Sequence, residues 1–100
     1  MSTRNDNILD AVKLADRIRG DHLNNDIYRL ISVYEEDLTR AGVPETVVAD
    51  STNKLVEDAL IMGVLSNVAR DEEIRKRAED SYNYRLDCLR KHNWEVTPNE

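Results

Sequence analysis

The clearest apolar stripe in the chain lies in its second quarter. Five residues occupy positions i, i+3, i+4, i+7 and i+11: Ile27, Leu30, Ile31, Tyr34 and Leu38. This spacing places their side chains on one face of an amphipathic helix. The pattern predicts a helix over residues 23–41, and Gly42 directly after it is a typical stop signal.

The most apolar segment, residues 52–69, lies near the middle of the chain. Its apolar residues recur at helical spacing and also widen the stripe almost all the way round: Leu55, Val56, Ala59, Leu60, Ile61, Met62, Val64, Leu65 and Val68. A helix that is apolar on nearly every side needs neighbours on several sides. The pattern therefore predicts a central helix, with the other helices packed around it.

Two further helices are predicted on either side of these. Residues 7–19 carry an apolar face that begins at Ile8 and includes Val12, and Gly20 follows as a left-handed stop. Residues 71–91 open on three acidic residues, which suit the first turn of a helix. The inner stripe of this last helix runs from Ile74 to Leu89, and its outer face is densely charged.

These patterns together predict an all-α fold, a small bundle of about four helices at residues 7–19, 23–41, 52–69 and 71–91. Residues 7–91 form a single helical domain. Residues 1–6 are expected to be a flexible lead-in, and residues 92–100 a tail that serves as a docking segment. The predicted core consists of Ile27, Leu30, Ile31, Tyr34, Leu38, Leu55, Ala59, Met62, Ile74 and Leu86.

Two irregular segments carry apolar residues and are therefore candidates for contact with other proteins. Residues 43–51 are expected to be a loop with one helical turn, and irregular segments often carry function. The candidate contact residues are Val47, Val48, Trp94 and Val96. The alternative is that these four side chains cover the core of this same domain.

Composition narrows the classes of protein to which the chain can belong. Hydrophobic residues make up 40% and charged residues 34%, which is typical of a globular domain. The formal charge of −6 opposes the phosphate neutralisation on which DNA affinity depends. The single cysteine, Cys88, fits a reducing compartment. No apolar run approaches the roughly 20 residues that a membrane span requires.

No catalytic, metal-binding or cofactor-binding constellation is evident in the sequence. His22 and His92 lie in separate polar connections, so metal-ligand spacing is missing. No histidine is placed along the predicted stripe to activate Cys88. The basic triplet 75–77 is enclosed by acidic residues on both sides, which favours a solvated helix face. The sequence predicts a protein that is not an enzyme and that uses no cofactor.

Three stretches together suggest a family. The first joins residues 14–19 (LADRIR) to 25–31 (NDIYRLI), and the second is residues 37–43 (DLTRAGV). The third joins residues 55–64 (LVEDALIMGV) to the acidic triplet 71–73 and to 81–89 (SYNYRLDCL). In order and length these stretches resemble the small head–tail connector proteins, also called adaptor or head-completion proteins, of long-tailed bacteriophages. The family often has aromatic residues where this chain has Met62 and Gly63.

The resemblance implies a structural protein of the virion. It implies a homo-oligomeric ring of about a dozen subunits beneath the phage portal protein, with closed cyclic symmetry. Such a ring extends the DNA channel and gives the next neck or tail protein a docking surface. The implied location is the neck of the virion, and the host cytoplasm during assembly. DNA would pass through without sequence-specific binding, and no membrane would be involved.

A second interpretation comes from a different class of protein. A small helical regulator, such as a phage or plasmid transcriptional modulator, would act as a two-fold dimer on paired DNA sites. Oligomer symmetry distinguishes the two interpretations, because a connector requires many-fold cyclic symmetry.

Overall fold

The computed structural model describes residues 3–94. They form five helices, α1 (Thr3–Ala15), α2 (Asn24–Arg40), α3 (Glu45–Ala49), α4 (Lys54–Val68) and α5 (Glu72–Lys91), and no strand occurs within this range. The predicted all-α fold is confirmed. Three of the predicted helices are found within a few residues of their expected bounds, and the first is displaced toward the N-terminus.

Helix α1 begins at Thr3, inside the segment that the sequence predicted to be a flexible lead-in. The reason is Arg4, whose side chain is only 5% exposed. Its Nη1 donates to the Val48 carbonyl at 2.6 Å, and its Nη2 pairs with the Glu35 carboxylate. An arginine anchors this turn, so an apolar pattern could not reveal it.

Helix α1 also ends earlier than predicted, at Ala15 rather than residue 19. The Ile18 amide donates to the Lys13 carbonyl at 2.8 Å, and the Arg17 amide donates to Leu14 at 3.3 Å. These two bonds define a Schellman motif, in which the residue after the C-cap is left-handed. That residue is Arg17, with φ of 53°, and the predicted stop Gly20 lies beyond it.

Helix α2 ends in the same motif, but with the expected glycine. The Val43 amide donates to Leu38 at 3.1 Å, the Gly42 amide donates to Thr39 at 3.1 Å, and Gly42 has φ of 112°. Pro44 then precedes α3, a five-residue helix that corresponds to the helical turn expected in residues 43–51. The sequence therefore located this stop correctly, because glycine marks it.

The N-termini of the two last helices are fixed by side-chain caps. For α4 the cap is Asn53, which accepts from the Leu55 and Val56 amides at 3.0 and 3.2 Å. Thr52, which precedes Asn53, donates instead to the Asp50 carboxylate through its amide at 2.9 Å and its hydroxyl at 2.6 Å. For α5 the cap is Asp71, which accepts from the Glu73 amide at 2.8 Å.

Helix α4 packs against α1, α2 and α5. Among the predicted core residues, Ile27, Leu30, Ile31, Leu38 and Ala59 are buried, whereas Tyr34, Met62, Ile74 and Leu86 are partly buried against the core. Leu55 was predicted to lie in the core, but the prediction is wrong, because Leu55 is 53% exposed. Its neighbour Val56 takes the inward position, and successive helical residues point about 100° apart. Leu55 therefore faces outward.

Candidate functional site

The structure places the predicted contact residues mainly in this domain's own packing. Val48 is only 5% exposed and belongs to the core, so it is not a free contact residue. Val47 and Trp94 are partly buried against that core. The indole nitrogen of Trp94 donates to the Leu89 carbonyl at 2.7 Å. Val96 lies outside the described residues. Val47, Val48 and Trp94 therefore pack in or against the core of their own domain, as the alternative interpretation expected.

Two other surfaces expose large apolar side chains, and the sequence did not point to either. The first, here called the α1-end patch, consists of Leu14, Arg17 and Arg19. Leu14 is 82% exposed in the last turn of α1. The two arginines flank the half-buried Ile18 in the segment after the helix.

The arginines of the α1-end patch also line a cleft of about 350 Å³. The other lining residues are Ile18, His22, Leu23 and Arg70. No carboxylate is among them. Arg70 is held by Asp16, whose carboxylate accepts from its backbone amide at 3.3 Å and lies 3.7 Å from its Nε. This cleft is therefore cationic, whereas Asp16 and Asp71 lie with Arg17 around the adjoining cleft.

Arg17 and Arg19 differ from most cations of the chain because neither has a carboxylate partner among residues 3–94. Ten of the fourteen lysines and arginines form salt bridges within residues 3–94. Neither arginine of the α1-end patch is one of them. Their charges are therefore not neutralised inside the described part of the domain and remain available to a partner.

The second surface, here called the Tyr84 cleft, lies between the start of α4 and the second half of α5. It has a volume of about 170 Å³ and is lined by Leu55, Tyr84, Arg85, Cys88, Leu89 and His92. Tyr84 is 72% exposed. A hydrogen bond with the Cys88 side chain is the main cause of the raised pKa of Tyr84. The phenol and the thiol therefore lie side by side on the rim.

The charges near the Tyr84 cleft differ from those of the α1-end patch. Arg85 is held within the domain, because its Nε donates to Ser81 at 3.1 Å and its Nη1 lies 3.9 Å from Asp58. Asp80 is exposed one helical turn before Tyr84. The Asp80 side chain makes no salt bridge or hydrogen bond with the described residues. Within residues 3–94, Asp80 is therefore an exposed, unpaired carboxylate one helical turn from the cleft, and the lining of the cleft itself holds no carboxylate.

The two surfaces lie at opposite ends of α4. Asp16, beside the α1-end patch, binds the Arg70 amide just after the C-terminus of α4. Leu55, in the Tyr84 cleft, is the second residue of α4. A helix of 15 residues is roughly 22 Å long. One copy of the chain therefore presents two distinct exposed surfaces, separated by about the length of α4.

The Tyr84 cleft brings together Cys88 and His92, a proximity that the sequence analysis missed although their i, i+4 spacing on α5 indicates it. Within residues 3–94 no hydrogen bond joins the thiol to the imidazole, and the His92 ring packs on Trp94 at 4.2 Å. The described residues hold no cluster of three or more metal-ligating side chains. Among these residues, no helix combines the length and the apolar character that a bilayer crossing requires.

Comparison with protein-family models, with curated proteins and with solved structures gave no match.

Proposed function

We propose that this protein is a structural assembly protein, a head–tail connector of a long-tailed phage. In this proposal, copies associate into a ring of about a dozen subunits with closed cyclic symmetry. The ring lies under the portal, extends the DNA channel and offers a docking surface to the next neck or tail protein. The proposal rests on the resemblance described above.

The observation that best supports the proposal is the pair of distinct exposed surfaces at opposite ends of α4. A contact that joins two different patches of identical subunits is heterologous, and such contacts generate rings when the rotation closes. A two-fold regulator uses one self-complementary patch instead. Exposed Leu14 at one end, and exposed Leu55 and Tyr84 at the other, suit the first arrangement.

The overall charge supports a channel through which DNA passes without being held. Each subunit carries a formal charge of −6, and a ring multiplies that charge. Negative surfaces repel the phosphate backbone instead of releasing its counterions. The purified protein should therefore not be retained on a DNA column at low salt. Retention that weakens as salt is raised would contradict this part of the proposal.

The first experiment is a measurement of the mass of the purified chain over a wide range of concentrations, by light scattering and native mass spectrometry. A closed assembly of about a dozen copies, alone or after addition of portal rings, is the expected result. A tight dimer at every concentration would overturn the proposal and favour the regulator. A chain that remains monomeric and does not bind portal rings would overturn it as well.

A further inference from the structure

We infer that the α1-end patch of one copy docks on the Tyr84 cleft of the next copy, so that the subunits join head to tail. This inference rests on the proposed function and identifies the two surfaces that would form its interface. The partner at each surface is a second copy of this chain. Three independent observations support the pairing.

The first observation is charge complementarity between the two ends. The α1-end patch carries two guanidinium groups that have no carboxylate partner in the described part of the domain. Asp80, beside the Tyr84 cleft, is an exposed carboxylate without a cationic partner in the same range. Complementary charges at an interface fix its register and disfavour the reverse arrangement. Two α1-end patches would repel one another, so each patch is expected to meet a Tyr84 cleft and not a second α1-end patch.

The second observation is the backbone strain at Arg17. The same Schellman motif ends α1 and α2, with Gly42 in the left-handed position of one and Arg17, at φ of 53°, in that of the other. A side chain in this region costs about 1 kcal/mol relative to glycine. Strained residues of this kind cluster at functional sites. The Arg17 guanidinium is exposed and makes no contact that contributes to the described packing of the domain.

The third observation concerns the chemical class of the partner. Three arginines and a histidine around one cleft would also suit a phosphate group. A phosphate, however, makes no use of Leu14, the most exposed large apolar side chain of the described residues, one helical turn before Arg17. Apolar side chains mixed with arginine are typical of protein interfaces. Leu55 and Tyr84 supply the matching apolar surface at the other end of α4.

The test uses two variants of the full chain, each altered at one end only. The α1-end variant carries Leu14→Gln and Arg19→Glu, and the cleft variant carries Leu55→Gln and Tyr84→Glu. All four side chains are exposed, and circular dichroism should be used to check that each variant folds. Val33→Gln is the matched control, because Val33 is 47% exposed on α2 and lines neither surface.

Self-association is measured by sedimentation and native mass spectrometry for each variant alone and for their mixture. Each variant alone should lose at least about tenfold in association, which is the effect of roughly 1.4 kcal/mol. The equimolar mixture should give a one-to-one dimer that grows no further, because each partner supplies the surface that the other lacks. The control should assemble as the wild type does.

Other outcomes separate the inference from the proposed function. Variants that assemble as the wild type does, or a mixture that stays monomeric, would overturn the inference and leave the ring proposal standing. A wild-type two-fold dimer would overturn both. A further outcome is that the wild type is retained on a phosphate column, and that Arg19→Glu abolishes this retention without changing assembly. That result would assign the arginines to a nucleic-acid or phosphate ligand and would overturn the inference.

Cross-linking covers the case of weak association. Cys88 is exposed in the Tyr84 cleft and is the only cysteine of the chain. The Leu14→Cys variant, made in a Cys88→Ser background, is mixed with the wild type and a short bis-maleimide. The reagent should cross-link residue 14 of one copy to Cys88 of another. Val33→Cys in the same background is the control. Equal yields from the two positions, or none from residue 14, would contradict head-to-tail docking.

Discussion

The ring of Tyr34 lies directly on the backbone of Gly63. A Cβ atom added at Gly63 would come within 2.7 Å of Tyr34 Cδ1 and 2.8 Å of Cγ. The edge of the same ring meets Tyr82 at 5.0 Å between centroids. The space that Gly63 leaves in the middle of α4 is therefore filled by an aromatic side chain.

Gly63→Ala should therefore destabilise the fold. Alanine improves helix propensity by roughly 1 kcal/mol, whereas overpacking costs typically 1–3 kcal/mol. We expect a net loss of about 1 kcal/mol in the free energy of unfolding, measured by urea denaturation. Asn83→Ala, at an exposed position of α5, is the control and should be neutral or slightly stabilising. Tyr34→Leu should relieve most of the effect of Gly63→Ala in the double variant, and simple additivity would contradict the proposed contact.

Arg17→Gly should stabilise the isolated subunit. Glycine adopts the left-handed conformation without steric cost, so we expect a gain of about 1 kcal/mol in the free energy of unfolding. Gly42→Ala, in the equivalent position after α2, should destabilise by a similar amount. The same denaturation experiment measures both. If Arg17→Gly left stability unchanged or lowered it, the conformation at Arg17 would not be strained.

Arg4 should contribute far more to stability than a residue in a flexible lead-in would. Replacing it by alanine removes the contact to the Val48 carbonyl and leaves the Glu35 carboxylate, 28% exposed, without its partner. Breaking a buried ion pair in this way costs about 3 kcal/mol. Thr3→Ala, one residue earlier and exposed, is the matched control and should change the thermal midpoint little. Similar midpoints for the two variants would mean that Arg4 does not anchor α1.

The stability of the domain should fall at alkaline pH because of Tyr82. Burial and a hydrogen bond of 2.6 Å to Asp37 raise the pKa of Tyr82 well above its usual value. In the unfolded chain the phenol loses its proton near pH 10, as an ordinary tyrosine does. The stabilisation is therefore complete below about pH 10 and is lost as the pH rises from there.

Tyr82→Phe tests this directly. It should cost about 1 kcal/mol at neutral pH through the lost hydrogen bond, and it should flatten the decline in unfolding free energy above about pH 10. Phenolate absorbance of the folded wild type should show one tyrosine that ionises only on unfolding, and the variant should lack it. A decline as steep in the variant as in the wild type would assign the alkaline loss to other groups.

The fold class and most of the helices could be predicted from the sequence alone. The stripe from Ile27 to Leu38 repeats with the helical period, and Gly42 marks the end of α2, because apolar periodicity and glycine are direct consequences of helix geometry. Asp71 similarly caps α5 where the acidic triplet predicted a first turn. These features depend only on residues near one another in the chain.

The ends of α1 and the exposed surfaces, in contrast, depend on contacts between distant segments of the chain. The start of α1 depends on Arg4 reaching Val48, which is 44 residues away, and its end on a strained arginine where the sequence offered Gly20. Leu55 was expected in the core and is exposed, whereas Val48 was expected at the surface and is buried. Both differ from expectation because exposure depends on neighbours from distant segments. The α1-end patch and the Tyr84 cleft emerge for the same reason, since the direction in which a side chain points is set by how whole helices pack.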